Sequence, residues 1–208
     1  MHTFLTLFGI LAVLTIGIVS PGPSFLFVAR TAVAFSRRAA LSAALGMALG
    51  AALLCVAALL GLHALFTRIP EVYLAFKLAG GAYLLYLAVR IWRGQSTPLL
   101  AADAQLAGSW GLARPFLIAL GTMLSNPKAA VQYGVIFAAL LPKSPSGSLL
   151  LALPPAVFLL EATWYAVVAF GLSAPRPRSL YLRAKPALDR CVGAVLAGLG
   201  LRLIWASR

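Results

Sequence analysis

Long apolar runs separated by short polar segments dominate this sequence of 208 residues. A helix that crosses the hydrocarbon core of a membrane needs about 20 predominantly apolar residues. Six segments meet this requirement, and they lie at roughly 3–20, 39–62, 72–92, 115–141, 148–172 and 187–205. The first is short, and we expect it to continue past a break as a second half-helix from Ser24 to Phe35. The pattern predicts an all-α integral membrane protein with six transmembrane helices.

The six predicted spans fall into two halves. The longest polar stretch runs from Arg93 to Arg114 and leaves three spans on each side. Because three is odd, a duplicated half would insert upside down relative to its partner, as in many secondary transporters. We therefore predict one transporter domain over 1–208, with a first three-helix repeat at 1–93, a cytoplasmic linker at 94–114 and a second three-helix repeat at 115–208.

Two proline motifs interrupt the apolar runs about half a chain apart. The first is Ser20-Pro21-Gly22-Pro23, and the second is Ser125-Asn126-Pro127-Lys128. Proline lacks a backbone donor, and backbone groups freed inside a membrane must be satisfied by protein, water or ligand. Broken segments at matching places in two halves point to a transport site. For the first motif alone, the alternative is a plain helix end at the membrane interface.

Lys128 stands near the middle of the apolar run from Phe116 to Leu141. An uncompensated charge at that depth costs roughly 2.5–3.5 kcal/mol on insertion scales. In a polar cavity the lysine could hold a carboxylate, and the half-helix after Pro127 would direct free N–H groups at an anion. The alternative is a long side chain that snorkels toward water. Gln132 and Tyr133, about one turn later, could add polar groups.

Glu161 is the only acidic residue well inside a predicted span. Intramembrane carboxylates usually mark a path for an ion, a proton or a substrate. The alternative is a static ion pair with Lys128 or Lys77, although snorkelling is the better interpretation of Lys77. Trp164 and Tyr165 follow three and four residues later on the same helical face, where they either line a pocket or simply pack.

The charge distribution predicts the orientation in the membrane. The chain carries 17 basic and 4 acidic residues, a net charge of +13, but most basic residues lie in short loops between apolar runs. This placement indicates a topogenic role and argues against nucleic acid as a partner. The first, third and fifth loops are the more basic and are therefore predicted to be cytoplasmic, which places both termini in the periplasm.

Enzymatic chemistry finds little support in the sequence. Cys55 and Cys191 are isolated within apolar runs, and His2 and His63 are far apart, so neither a disulfide framework nor a metal site is expected. No phosphate-binding loop of the Walker type is present. Neither a nucleophile–base pair nor a cofactor site is recognisable, and we predict that the protein is not an enzyme.

Small residues recur at helical spacing within the predicted spans. Ser42, Gly46 and Gly50 are separated by four residues each, as are Ala194 and Gly198. Such spacing allows the backbones of two helices to approach closely. The pattern favours packing within the chain, and a homodimer face is the alternative.

The chain resembles the lysine exporter family, specifically the branch that exports homoserine and threonine. The resemblance runs over essentially the whole chain and rests on both proline motifs, on Glu161 with Trp164, and on the segments Ala44–Gly50, Leu60–His63 and Lys77–Leu84. It implies a six-span protein of the bacterial inner membrane that exports a small amino acid or a close relative by proton antiport, with the two motifs facing each other across a central site. Ser24 departs from some threonine-exporting relatives, which have an acidic residue there.

These observations lead to one hypothesis for the site. The substrate carboxylate would be held by Lys128 and the half-helix ends, and Glu161 would take either the substrate ammonium or a proton. The residues assigned to the substrate site are Pro21, Gly22, Pro23, Ser24, Asn126, Pro127, Lys128, Glu161, Trp164 and Tyr165, and Glu161 is also assigned to proton coupling. The alternatives are a passive channel or facilitator for small polar solutes, a membrane-embedded enzyme, and a non-transporting assembly subunit.

Overall fold

The computed structural model describes residues 2–19, 22–68, 111–142 and 144–172, with further residues between 78 and 93 and between 187 and 205. These residues contain no β-strand, in agreement with the predicted all-α class. Six helices are complete enough to be delimited: α1 (His2–Val19), α2 (Pro23–Ala34), α3 (Arg37–Arg68), α4 (Ala113–Leu124), α5 (Pro127–Leu140) and α6 (Gly147–Leu172).

Two of these helices are individually long and apolar enough to cross a membrane. They are the 25-residue stretches Arg37–Gly61 in α3 and Gly147–Gly171 in α6. Helices α1 and α2 form a third candidate, bent by 57°, which is either one broken span or a re-entrant segment. The expected spans at 39–62 and 148–172 are therefore confirmed as continuous helices.

The remaining predicted spans are shown only in part. Helices α4 and α5 are shorter apolar helices, which together cover the expected segment 115–141. Most described residues between 78 and 93 and between 187 and 205 are helical, but much of the expected spans there, Lys77 and the linker from 94 to 110 lie outside the described residues. The six-span inverted repeat stays a prediction.

Both proline motifs interrupt a helix in the same way. Helix α2 begins with Pro23 after an extended Gly22 (φ −135°, ψ −173°), and α5 begins with Pro127 after an extended Asn126 (φ −81°, ψ 104°). Proline suits the first helical position because its missing N–H would have no partner there in any case. The carboxamide oxygen of Asn126 also accepts the N–H of Lys128 at 3.0 Å, which caps α5. The predicted breaks are confirmed.

Helices α3 and α4 pack closely against each other. A Cβ atom on Gly46 would overlap the carbonyl oxygen of Phe116, and one on Gly50 would lie 2.7 Å from Cβ of Met123. The hydroxyl of Ser42 donates to the carbonyl of Leu112 on the same face. These small residues pack helices within the chain, as expected, because a side chain there would force the two backbones apart.

The outer surface is apolar, whereas several polar residues are buried. Phe4, Leu151 and Trp205 are 78%, 80% and 77% exposed, as suits side chains that face lipid. The buried polar or charged residues among those described are Ser24, Thr31, Asn126, Gln132 and Glu161. Four of these five line a single cavity at the helix breaks.

Candidate functional site

The two helix breaks meet through a buried hydrogen bond. The carboxamide nitrogen of Asn126 donates to the hydroxyl of Ser24 at 2.9 Å, across 102 positions of sequence. That hydroxyl in turn lies 3.7 Å from the sulfur of Met123, which it approaches as a donor. Ser24 and Asn126 are 3% and 6% exposed. The N-cap residue of α5 is thus bonded directly to the first turn of α2.

Lys128 crosses from the second break to the first. Its Nζ donates to the carbonyl oxygen of Gly17 at 3.3 Å, in the last turn of α1. A Cβ on Gly22 would lie 3.5 Å from the same Nζ, so the ammonium also borders the chain between α1 and α2. A cation is stabilised near the carbonyl end of a helix. The charge of Lys128 therefore lies at the junction of the two breaks.

Glu161 approaches the same junction from the middle of α6. It is 3% exposed, and its Oε1 accepts a hydrogen bond from the hydroxyl of Tyr133 at 2.8 Å. Within the described part of the chain its other oxygen, Oε2, has no hydrogen-bond partner. Leaving a buried acceptor unsatisfied typically costs about 1–3 kcal/mol, and more for a charged group. The carboxyl group is thus half-satisfied and can receive a proton or a cationic ligand.

A small cavity connects these groups. Its volume is about 30 Å³, enough for about two water molecules and too small for an amino acid. The described residues that line it are Gly17, Ile18, Gly22, Ser24, Phe25, Met123, Asn126, Lys128, Ala129, Gln132, Tyr133, Glu161 and Tyr165. A larger ligand can enter only if the helices or side chains around the cavity move apart.

Six of the ten residues assigned to the site from sequence line this cavity: Gly22, Ser24, Asn126, Lys128, Glu161 and Tyr165. Pro23 and Pro127 begin the two half-helices beside it, and Pro21 lies outside the described residues. Trp164 is not among the described lining residues; it packs against the hydrophobic core. Its indole N–H is buried with no hydrogen-bond partner in the described part of the chain.

Some residues of the cavity had little or no signal in the sequence. Gln132 and Tyr133 lie one turn after Lys128, and that spacing was the only indication for them. Gly17, Phe25 and Met123 look like ordinary residues of apolar helices. Only the helix packing brings them to the breaks.

The site shows no arrangement typical of metal chemistry. Across the described residues, no group of three or more histidine, cysteine, aspartate or glutamate side chains is close enough to hold a metal ion. The cavity is lined by the ammonium group of Lys128 and the carboxyl group of Glu161, and two helix N-termini border it. Such an arrangement suits a small molecule that carries both charges.

Comparison with known proteins gives a family match over almost the whole chain. Residues 15–207 match the family described as LysE type translocator. No solved structure gives a significant match to the chain.

Named relatives are similar over nearly their full length. The chain is 32% identical over 193 residues to the threonine efflux protein of Salmonella typhi, covering 91% of this chain and 92% of that protein. The threonine efflux protein of Escherichia coli K12 gives the same identity and the same shares. The homoserine/homoserine lactone efflux protein of Salmonella typhimurium is 28% identical over 204 residues, covering 94% and 97% of the two chains.

Proposed function

The chain belongs to the LysE type translocator family, and we propose that it exports small neutral amino acids across the bacterial inner membrane by proton antiport. Proteins of this family are transporters, so the chain is a translocator and not an enzyme. The names of the relatives support efflux of threonine-like or homoserine-like substrates.

The observation that carries the proposal is the presence of Lys128 and Glu161 on one cavity. An amino acid is a zwitterion, and these two side chains have the complementary charges. The carboxylate would bind Lys128 and the N-terminal ends of α2 and α5, where backbone N–H groups and the helix dipole favour an anion. The ammonium would bind the free oxygen of Glu161.

Proton coupling would use the second carboxyl oxygen of Glu161. Oε1 is occupied by the hydroxyl of Tyr133, which leaves Oε2 for either a proton or the substrate ammonium. A proton taken from the periplasm would displace the substrate ammonium and release the substrate. Loss of that proton to the cytoplasm would prepare the site for the next substrate molecule. This competition makes the two fluxes run in opposite directions.

Alternating access would come from the broken helices. The cavity of about 30 Å³ must widen to admit a substrate. The hydrogen bond between Asn126 and Ser24 and the bond from Lys128 to Gly17 hold the two breaks together. Rocking of one inverted repeat against the other would open the site to one side at a time, with both termini on the periplasmic side.

Efflux from proteoliposomes tests the proposal directly. Vesicles loaded with a mixture of amino acids would be followed with and without an imposed pH gradient. The proposal expects uphill loss of one or a few small neutral amino acids only when the gradient is present. Loss that ignores the gradient would favour a passive channel or facilitator, and no loss of any amino acid would contradict the proposed substrate class.

A further inference from the structure

Gln132 is a buried polar residue for which the proposed mechanism has no role. It is 6% exposed and lines the cavity, on the same face of α5 as Lys128 and one turn further along. Its side-chain amide lies against Gly17 of α1 at the wall of the cavity. An amide in such a place is stable only when a hydrogen-bond partner is available to it. Such a group in a ligand cavity points to a ligand.

The position of the amide is fixed against α1. It occupies the space that a side chain on Gly17 would fill, so that a Cβ there would overlap the amide itself. The carbonyl of the same Gly17 accepts the ammonium of Lys128 at 3.3 Å. The ammonium of Lys128 and the amide of Gln132 therefore both contact Gly17. The two groups are close enough together to bind one small amino acid.

The chemistry of the amide identifies the part of the substrate that it fits. An ammonium only donates hydrogen bonds and a carboxylate only accepts them, whereas an amide does both. A hydroxyl group also does both and is therefore its natural complement. Two other polar side chains of the wall already have partners, since Asn126 donates to Ser24 and Tyr133 donates to Glu161.

We infer that Gln132 is a specificity-determining residue that binds a hydroxyl on the side chain of the transported amino acid. The inference rests on the proposed function and narrows its substrate class to short hydroxylated amino acids. The apolar wall of Phe25 and Met123 would contact the remaining carbon atoms. An apolar analogue of the same shape would leave the amide unsatisfied and would be transported more slowly.

Threonine and valine form the matched pair of probes, since valine has a methyl group in place of the hydroxyl. Counterflow into proteoliposomes would be measured for each with the full-length protein. We expect threonine to be preferred by roughly tenfold or more, because sites that bind a hydroxyl strongly reject analogues without it. Equal rates for the two would overturn the inference while leaving amino-acid export intact. Transport of neither would overturn the proposed function and this inference with it.

Gln132→Met is the decisive variant, since it keeps the length of the side chain and removes the amide. We expect the threonine rate to fall about tenfold more than the valine rate, so that the threonine-to-valine ratio falls by the same factor. An equal loss for both probes would show a structural role and would overturn the inference, as would an unchanged ratio. Thr122→Val is the control: its hydroxyl donates to the carbonyl of Ile118 away from the cavity, and the ratio should not change. If Gln132→Met does not fold, the same ratio would be measured for Gln132→Leu, which also removes the amide, and an unchanged ratio would overturn the inference.

Discussion

The two breaks place chemically different side chains at equivalent positions. Ser24 is the second residue of α2 and Lys128 is the second residue of α5, each directly after the proline that begins its helix. Both side chains line the cavity. A duplicated half-helix would present one residue type twice, so the replacement of one copy by a cation makes the site asymmetric. In the proposed function, that asymmetry would give a zwitterionic substrate one preferred orientation.

Replacement of Glu161 tests whether its carboxyl group carries the coupled proton. Glu161→Gln keeps an acceptor for the hydroxyl of Tyr133 but cannot exchange a proton. We expect uphill efflux driven by a pH gradient to fall to background, measured in proteoliposomes, while the variant elutes and melts like the wild type. Retention of gradient-driven efflux by this variant would contradict the role of the carboxyl group.

Replacement of Lys128 tests the binding of the substrate carboxylate. Lys128→Met removes a charge-assisted hydrogen bond, typically worth about 1.5–3 kcal/mol, so the KM for export should rise on the order of 10-fold to 100-fold. Arg38→Gln is the control, since it removes a positive charge from an exposed position on α3. An unchanged KM in Lys128→Met would indicate that this lysine serves only to hold Gly17 and the two breaks together.

The sequence identified the charged residues of the site, but it did not identify many of the uncharged residues that line the cavity. Lys128 and Glu161 were recognisable because a charge inside an apolar run is costly and needs a reason. Trp164 shared the helical face of Glu161, but the structure places it in the packing and not among the described lining residues. Spacing along one helix cannot tell which neighbour a side chain meets, since that depends on how the other helices cross.

At the scale of the elements, the helix breaks were predictable and the contacts between helices were not. Proline chemistry fixes where α2 and α5 begin, because the missing N–H is harmless only in the first turn. The glycines of α3 indicated close packing, but nothing in their spacing identified α4 as the partner. That assignment needs the positions of Phe116 and Met123 in space.

The contact between α3 and α4 makes Gly46 intolerant of any side chain. In Gly46→Ala the new methyl group would overlap the carbonyl oxygen of Phe116, which is backbone and cannot rotate away. Overpacking of this kind typically costs about 1–3 kcal/mol, so the midpoint of thermal unfolding in detergent should fall.

Gly121→Ala is the matched control for Gly46→Ala. Gly121 also lies in a helix, but nothing stands within 4 Å of the position where its Cβ would be. Alanine is favoured over glycine in a helix by about 1 kcal/mol, so this variant should melt at or slightly above the wild-type temperature. The packing argument is wrong if Gly46→Ala melts as high as Gly121→Ala.

At the scale of the whole molecule, the two halves of the chain have the same kind of helix break. Each begins a half-helix with an extended residue followed by proline, and both half-helix N-termini border the same cavity. Two helix N-termini can approach one point from opposite sides of a membrane when the halves are inverted. The shared construction agrees with the proposed inverted repeat, which requires the loops that precede α3 and α6 to lie on opposite sides of the membrane.

Site-directed labelling decides this orientation. Ser36 lies in the basic loop before α3 and Ser144 lies in the loop before α6, and both are exposed. Each would be changed to cysteine in a background in which Cys55 and Cys191 are replaced by alanine. The positive-inside rule places Ser36 in the cytoplasm and Ser144 in the periplasm. A maleimide that cannot cross membranes should therefore label Ser144→Cys in intact spheroplasts, and Ser36→Cys only after the membrane is opened. Labelling of both positions from the same side would rule out inverted halves, and with them alternating access by rocking about the shared cavity.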